Sequence, residues 1–124
     1  MNKIKSVLVV VIICAGLMPA LLVADRESEI NYLLNFISAS GCEFIRNGNH
    51  YTAAEAREHI EKKYNYYRSD INTTENFIAY SATRSSLSGK SYEVICEGAK
   101  QASAQWLLDE LKRYRNKMKT GSAD

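Results

Sequence analysis

The sequence predicts a small α+β domain in which helices pack against a two-stranded antiparallel sheet, in the order α-β-α-α-β-α, after an N-terminal signal helix. Three observations lead to this prediction. Apolar residues recur at helical spacing in several segments, two short runs at 42–46 and 92–96 have the composition of strands, and each run contains a cysteine. Residues 25–124 contain no internal repeat or low-complexity linker, so we expect one domain there.

The leader, residues 1–24, has the pattern of a secretory signal peptide. Lys3 and Lys5 form a short basic start, and an apolar, uncharged run follows at 7–24. We expect cleavage after Ala24 and a periplasmic, exported domain. A run of this length could also cross a bilayer, so the alternative is an uncleaved leader that anchors the domain to the inner membrane. In that case only 7–24 would contact the membrane.

The first predicted elements are a helix, a strand and a turn. The helix covers 28–38, and its inner face is formed by apolar residues at the i, i+3, i+4, i+7 positions, Ile30, Leu33, Leu34 and Ile37. The strand covers 42–46, and Asn47-Gly48-Asn49 is typical of a turn.

Two capping patterns predict the central helices. Thr52 and Glu55 are spaced as a capping box, which opens a helix to about residue 67. Its predicted inner stripe is Ala56, Ile60, Tyr64 and Tyr67. Asn72 is the predicted N-cap of a helix that extends to about residue 83, with Phe77, Ile78 and Ser81 on its inner side.

The last third of the chain is predicted as loop, strand, loop and helix. A polar loop covers 84–91, the second strand covers 92–96, and a second loop covers 98–102. Ser103 is the predicted cap of the final helix, in which Leu107, Leu108, Leu111, Tyr114 and Met118 recur at helical spacing.

Cys42 and Cys96 are predicted to form a disulfide. They are the two cysteines that remain after the leader, and an even pair in an oxidising compartment indicates a bridge. With antiparallel strands and Cys42 opposite Cys96, Phe44 faces Val94 and Arg46 faces Tyr92. The alternative is a pair of buried free thiols.

Charge and composition exclude several classes of protein. Lys+Arg number 16 and Asp+Glu 14, and removing Lys3 and Lys5 leaves a domain of zero net charge. General nucleic-acid binding needs an excess of cations on one face, so we expect no nucleic acid as partner. With 46% apolar residues, the chain is also not a disordered tail.

Motifs for catalysis or cofactors are weak. Gly89-Lys90-Ser91 resembles the end of a phosphate-binding loop, but the glycine required five residues earlier is Arg84 and a strand follows. His50 and His59 do not form a close pair with each other or with the cysteines, so we expect no metal and no cofactor. No serine lies in a Gly-x-Ser-x-Gly elbow. We therefore predict no catalytic residue.

Tyrosines and a basic C-terminal segment are the other candidates for binding. The chain has eight tyrosines, and a helix cannot bury all of Tyr64, Tyr66 and Tyr67. Exposed tyrosine beside arginine is typical of protein-binding and sugar-stacking surfaces. Residues 112–119 contain five cations, which suit either a helix C-terminus or an anionic surface.

Three motifs resemble a family of small exported bacterial proteins, the YfeK-like group, which is a domain of unknown function. They are FIRNG at 44–48 with YTA at 51–53 and HI at 59–60, TENFI at 74–78, and SLSGKSY at 86–92. The resemblance covers nearly all of 25–124 and implies a periplasmic protein of Gram-negative bacteria, with no activity assigned. The two cysteines are not part of the pattern.

These features predict a site and a function. We expect a site to form from motif residues that gather where the strands pair, namely Arg46, Asn47, Gly48, Tyr51, His59, Ser88, Gly89 and Tyr92. The predicted function is a non-enzymatic binding module of the cell envelope, with an envelope protein or an anionic cell-surface polymer as partner. The alternative is a small periplasmic enzyme that uses His59 as general base with Ser88 or Tyr51.

Overall fold

In a computed structural model of the chain, residues 26–120 are described. The predicted signal helix and its cleavage site fall in 1–25, outside the described residues. No helix within 26–120 is long and apolar enough to cross a membrane. The described residues form a mixed α+β domain with four α-helices and an antiparallel sheet, as the sequence predicted in outline.

The elements alternate between helices and paired strands. In chain order they are α1 at 26–39, β1 Glu43–Arg46, β2 Asn49–Tyr51, α2 Ala53–Tyr67 with a 3₁₀ turn Arg68–Asp70, α3 Thr74–Ser81, β3 Glu93–Cys96, β4 Ala99–Ala102 and α4 Ser103–Lys119. The strand order in the sheet is β2-β1-β3-β4, and every neighbouring pair is antiparallel.

The prediction of two strands was wrong, because each predicted strand turns back into a second one. Asn47 and Gly48 join β1 to β2 with φ values of 53° and 78°, and Glu97 and Gly98 join β3 to β4 with 50° and 81°. Positive φ at both central residues is the type I′ hairpin. The predicted loop at 98–102 is therefore mostly strand β4. Strand β4 is fully exposed and β2 largely so, so neither edge strand carries an apolar alternation.

The predicted register of the two central strands is confirmed. Phe44 lies opposite Val94, and the Cys42–Cys96 disulfide continues that register with its Cα atoms 4.8 Å apart. Phe44 and Val94 are both buried under the helices. The bridge and the strand pairing therefore place the end of β1, with Arg46, beside the start of β3.

The core is formed by one face of the sheet and the inner faces of the helices. All four apolar positions predicted for α1 are at most 3% exposed, and Phe77, Ile78 and Ser81 of α3 are buried as expected. In α4 the buried positions include Trp106, which the periodicity missed. Leu108 and Met118 are exposed, because they lie at the edges of the stripe centred on Leu107 and Leu111.

The helix caps confirm one prediction and correct two. Both hydrogen bonds of the capping box between Thr52 and Glu55 are present. The N-cap of α3 is Thr73, one residue after Asn72, because its hydroxyl accepts the Asn76 N–H at 3.0 Å. Ser103 is the first residue of α4 and makes no capping bond, since β4 runs directly into the helix. Its own N–H donates to the Tyr92 carbonyl at 2.9 Å.

Candidate functional site

Arg46 ends strand β1 and points between β2 and α2. Its guanidinium carbon lies 4.5 Å from the centre of the Tyr51 ring on β2. Its Nη1 lies 2.7 Å from Nδ1 and 3.0 Å from Nε2 of His59, a residue in the second turn of α2. Because α2 starts two residues after Tyr51, the hairpin and the helix hold these three side chains against one another.

His59 and Lys63 extend the contact from Arg46 towards β3. His59 Nε2 lies 2.9 Å from the Tyr92 hydroxyl, and the His59 ring packs edge-on against the Tyr92 ring. Lys63 is one helical turn further along α2, and its Nζ donates to the same hydroxyl at 3.3 Å and to the Arg84 carbonyl at 2.8 Å. We call Arg46, His59, Lys63 and Tyr92 the Arg46 cluster.

The Arg46 cluster carries positive charge without a carboxylate partner. Among residues 26–120, neither Arg46 nor Lys63 forms an ion pair. Burial, with Arg46, Lys63 and Lys62 nearby, lowers the pKa of His59 to about 4. Burial and Arg46 also lower the pKa of Lys63, and burial raises the pKa of the Tyr92 hydroxyl. At neutral pH His59 is therefore uncharged, and its ring offers one donor and one acceptor.

A small cavity lies behind the cluster. It is lined by Arg46, His59 and Tyr92, by apolar side chains of β1 and α2, and by Glu55 and Glu93, and its volume is about 30 Å³. That volume holds about one water molecule, whereas ligand sites are usually about 300 Å³ or more. Ser103 also lines the cavity, and its hydroxyl is buried without a hydrogen-bond partner among the described residues. The cavity therefore suits a water molecule and is too small for an organic substrate.

The loop at 84–91 is fastened to the first hairpin by Asn47. The Asn47 amide donates to Ser85 Oγ at 3.1 Å, and Ser88 Oγ donates to the Asn47 side-chain oxygen. Gly89 has a φ of 74°, and its N–H donates to the Ser85 carbonyl at 3.0 Å. Ser88 and Gly89 thus shape and anchor the loop.

The predicted site residues lie in one region but in two groups. The first group surrounds the guanidinium of Arg46 and consists of Tyr51, His59 and Tyr92. The second group forms the hairpin turn and its contact with the loop, and consists of Asn47, Gly48, Ser88 and Gly89. His59 contacts the hydroxyl of Tyr92. Within the described residues, His59 makes no hydrogen bond to Ser88 or Tyr51.

Sequence reasoning missed Lys63. Its signal was the four-residue spacing from His59, which places both side chains on one face of α2. Nothing in the sequence alone showed that this face is turned towards Tyr92.

Several other charged groups of the domain form ion pairs. His50 on β2 lies 3.0 Å from Glu43, and in α4 both Arg113 and Arg115 contact carboxylates. Three or more His, Cys, Asp or Glu side chains that could hold a metal ion do not come together anywhere in 26–120.

The comparisons with known proteins agree with the resemblance in the motifs. The family model described as "Family of unknown function (DUF5329)" matches residues 24–115. The chain is 37% identical over 70 residues to "Uncharacterized protein YfeK" of Salmonella typhimurium. That match covers 56% of this chain and 58% of the relative, so the chain spans somewhat over half of the curated relative's length. No solved structure matches.

Proposed function

The chain belongs to DUF5329, a family of unknown function, and we propose that it is an exported, non-enzymatic binding module that takes an anionic group at the Arg46 cluster. The observation that carries this proposal is a half-buried arginine that stands beside a lysine and lacks a carboxylate partner among the described residues. The partner is an anionic polymer or an envelope protein that carries such a group.

The donors of the cluster suit an anion. A carboxylate or phosphate at the mouth of the cluster would accept charge-assisted hydrogen bonds from Arg46 and Lys63. Such bonds are stronger than neutral ones, and the partial burial of both groups reduces screening by water and salt. The Tyr92 hydroxyl adds a donor, since its oxygen accepts from His59 and Lys63, and the neutral His59 adds no repulsion. An anion would therefore give these two cations a partner, since neither forms an ion pair within residues 26–120.

Export is supported by the disulfide and by the leader pattern. Disulfides such as Cys42–Cys96 persist in oxidising compartments, of which the bacterial periplasm is one. We propose cleavage after Ala24, with an inner-membrane anchor through 7–24 as the alternative. The test is the mass of the protein recovered from the cell envelope. A mass that still includes residues 1–24 would contradict cleavage.

The enzymatic alternative has less support. A neutral His59 could accept a proton, but its hydroxyl neighbour is Tyr92, and Ser88 bonds to Asn47 instead. The cavity beside His59 has no room for a substrate, and Tyr51 lies under the guanidinium of Arg46. Catalysis would therefore require rearrangement of side chains that are packed together.

Titration with inorganic phosphate tests the anion site. We expect phosphate to raise the melting temperature of the wild-type protein and of Arg57→Gln, but not that of Arg46→Gln. Arg57 is the matched control, because it is an arginine on α2 that already pairs with Glu61 at 3.1 Å. A wild-type melting temperature that rises neither with phosphate nor with acetate, a simple carboxylate, would overturn the proposal. An equal rise with phosphate in Arg46→Gln would also overturn it.

A further inference from the structure

A surface groove lies on the far side of Lys63 from Arg46. It runs between the end of α2, α3 and the loop at 84–91, and it is lined by Lys63, Tyr67, Tyr80, Arg84 and Ser86 among others. Its volume is about 380 Å³, against about 30 Å³ for the cavity behind the Arg46 cluster. We call it the tyrosine groove. Lys63 belongs to both the groove and the Arg46 cluster, so the two sites adjoin at Lys63.

Aromatic rings form one wall of the tyrosine groove. The Tyr67 and Tyr80 rings are 5.4 Å apart at an angle of 31°. Tyr80 is 43% exposed. Tyrosine rings that water reaches on one side are available as flat apolar surfaces with a polar tip.

Cations form the other wall. The Lys63 ammonium is held between the Tyr92 hydroxyl and the Arg84 carbonyl, and Arg84 itself is exposed. In the part of the chain that the structure describes, neither Lys63 nor Arg84 pairs with a carboxylate. The groove therefore presents uncompensated positive charge beside aromatic rings.

We infer that the tyrosine groove binds an acidic polysaccharide, one whose sugar rings carry carboxylates. This inference rests on the proposed anion site, which would hold one carboxylate while the neighbouring ring lies against Tyr80. A sugar ring has an apolar C–H face and hydroxyl groups at its rim. The tyrosine rings match the face, and the Ser86 hydroxyl and the Lys63 ammonium match the rim.

An acidic protein partner fits this groove less well. Strong anchors in protein interfaces are large side chains that fill well-packed, water-free pockets. The tyrosine groove is open to solvent and contains no such pocket. The cavity behind the Arg46 cluster is too small to be one, because it holds about one water molecule. A linear polymer that lies along the surface makes better use of such a shape.

The experiment compares an acidic sugar chain with matched probes. We expect wild-type protein to bind oligogalacturonate, and to bind its methyl ester, which has the same rings without the charge, at least about tenfold more weakly. Poly-glutamate has the charge without the rings and should also bind more weakly. Equal affinity for the methyl ester would show that the carboxylates do not contribute to binding and would overturn the inference. Equal affinity for poly-glutamate would favour an acidic protein partner and overturn the inference.

Two variants of Tyr80 separate this inference from the proposed function. Tyr80→Ala should weaken oligogalacturonate binding about fivefold while its response to inorganic phosphate stays as in the wild type, whereas Tyr80→Phe keeps the ring and should bind like the wild type. Arg46→Gln should lose both ligands. If phosphate binds but Tyr80→Ala leaves oligogalacturonate binding unchanged, the groove inference alone fails. If phosphate does not bind at all, the anion site itself fails.

Discussion

Two arginines of this domain stand in opposite surroundings. Arg115 of α4 lies between two carboxylates, with its Nε 2.8 Å from Glu29 of α1 and its Nη1 2.6 Å from Glu75 of α3. Arg46 of β1 contacts His59 and forms no ion pair within the described residues, although Glu55 and Glu93 line the same cavity. The first charge ties three helices together and is neutralised there. The second is left unbalanced, which is what an anion-binding group requires.

The carboxylates around Arg115 leave little for a ligand to do. Thr74 donates a further hydrogen bond to Glu29 at 2.6 Å, and the bonds from Arg115 lower the pKa of both Glu29 and Glu75. The pKa of His59 beside Arg46 is lowered as well, but for a histidine a lowered pKa disfavours the charged form, and its causes are burial and the neighbouring cations. The ion pairs of Arg115 therefore stabilise the fold, whereas the charge of Arg46 stays in place because other interactions of the fold hold it there.

We expect the largest loss of stability when the disulfide that holds the strand of Arg46 beside β3 is removed. The Cys42–Cys96 bridge joins β1 to β3, with 54 residues of sequence separation, and the chain-entropy estimate for such a loop is roughly 4 kcal/mol. We expect the double variant Cys42→Ala/Cys96→Ala to lose stability of that order in urea unfolding. Titration of unreduced, denatured protein should find no reactive thiol, except that of Cys14 where the leader is retained. Two further thiols per chain would contradict the bridge.

Removal of the Arg115 charge should be the next largest effect. Arg115→Gln leaves Glu29, whose side chain is 13% exposed, without its cation, and we expect a loss of about 2 kcal/mol in the free energy of unfolding. Lys117→Gln, an exposed cation on the same helix, should change it by less than about 0.5 kcal/mol. Because both carboxyl pKa values are lowered in the fold, this contribution is present above about pH 4.5 and is lost as pH falls further. Equal losses in the two variants would remove the structural role from Arg115.

The sequence predicted the pairing of the two central strands near Arg46 better than it predicted the edge strands and the side chains around Arg46. Two cysteines in strand-like runs were enough to predict a register, and that register correctly places Arg46 near Tyr92. Edge strands β2 and β4 escaped prediction because strands exposed to water carry no apolar pattern. The Glu97-Gly98 turn escaped because glutamate rarely takes a positive φ. Lys63 escaped because the rotation of α2 about its axis is set by packing against the sheet.

The pH dependence of stability should distinguish the two regions. Between pH 6.5, the ordinary pKa of histidine, and about 4, its pKa in the fold, the unfolded chain binds a proton that the folded chain does not. Stability from neutral His59 is therefore complete above pH 6.5 and is lost as pH falls towards 4. From about pH 7 to 5.5 we expect the wild type to lose at most about 1 kcal/mol more than His59→Gln, a figure reduced for partial exposure.

The control for this experiment is the other histidine. His50 is exposed on β2 beside Glu43, so His50→Gln controls for the general effect of replacing an imidazole outside the Arg46 cluster. The contributions of Glu29 and Glu75 are common to all three proteins and cancel in the comparison. An identical slope in the wild type and in His59→Gln would show that the surroundings of Arg46 place no strain on the protonated histidine.

The smallest change in stability should come from Arg46 itself. Arg46→Met keeps an apolar stem over the cavity. It loses the contact with the Tyr51 ring and the hydrogen bond to His59, each about 1 kcal/mol, and these losses are offset by the relief of repulsion with Lys63 and of the cost of keeping a charge partly buried. We therefore expect the free energy of unfolding to stay within about 0.5 kcal/mol of the wild type. Stabilisation by phosphate, in contrast, should disappear in Arg46→Met and persist in Arg46→Lys. In the wild type, bound phosphate should also raise the His59 pKa, as followed by proton NMR, because an anion favours the charged imidazole. A loss in Arg46→Met as large as that in Arg115→Gln would make both arginines structural. A silent Arg46→Met that no longer responds to phosphate would show that the fold carries this charge for a partner, since the fold itself gains nothing from it.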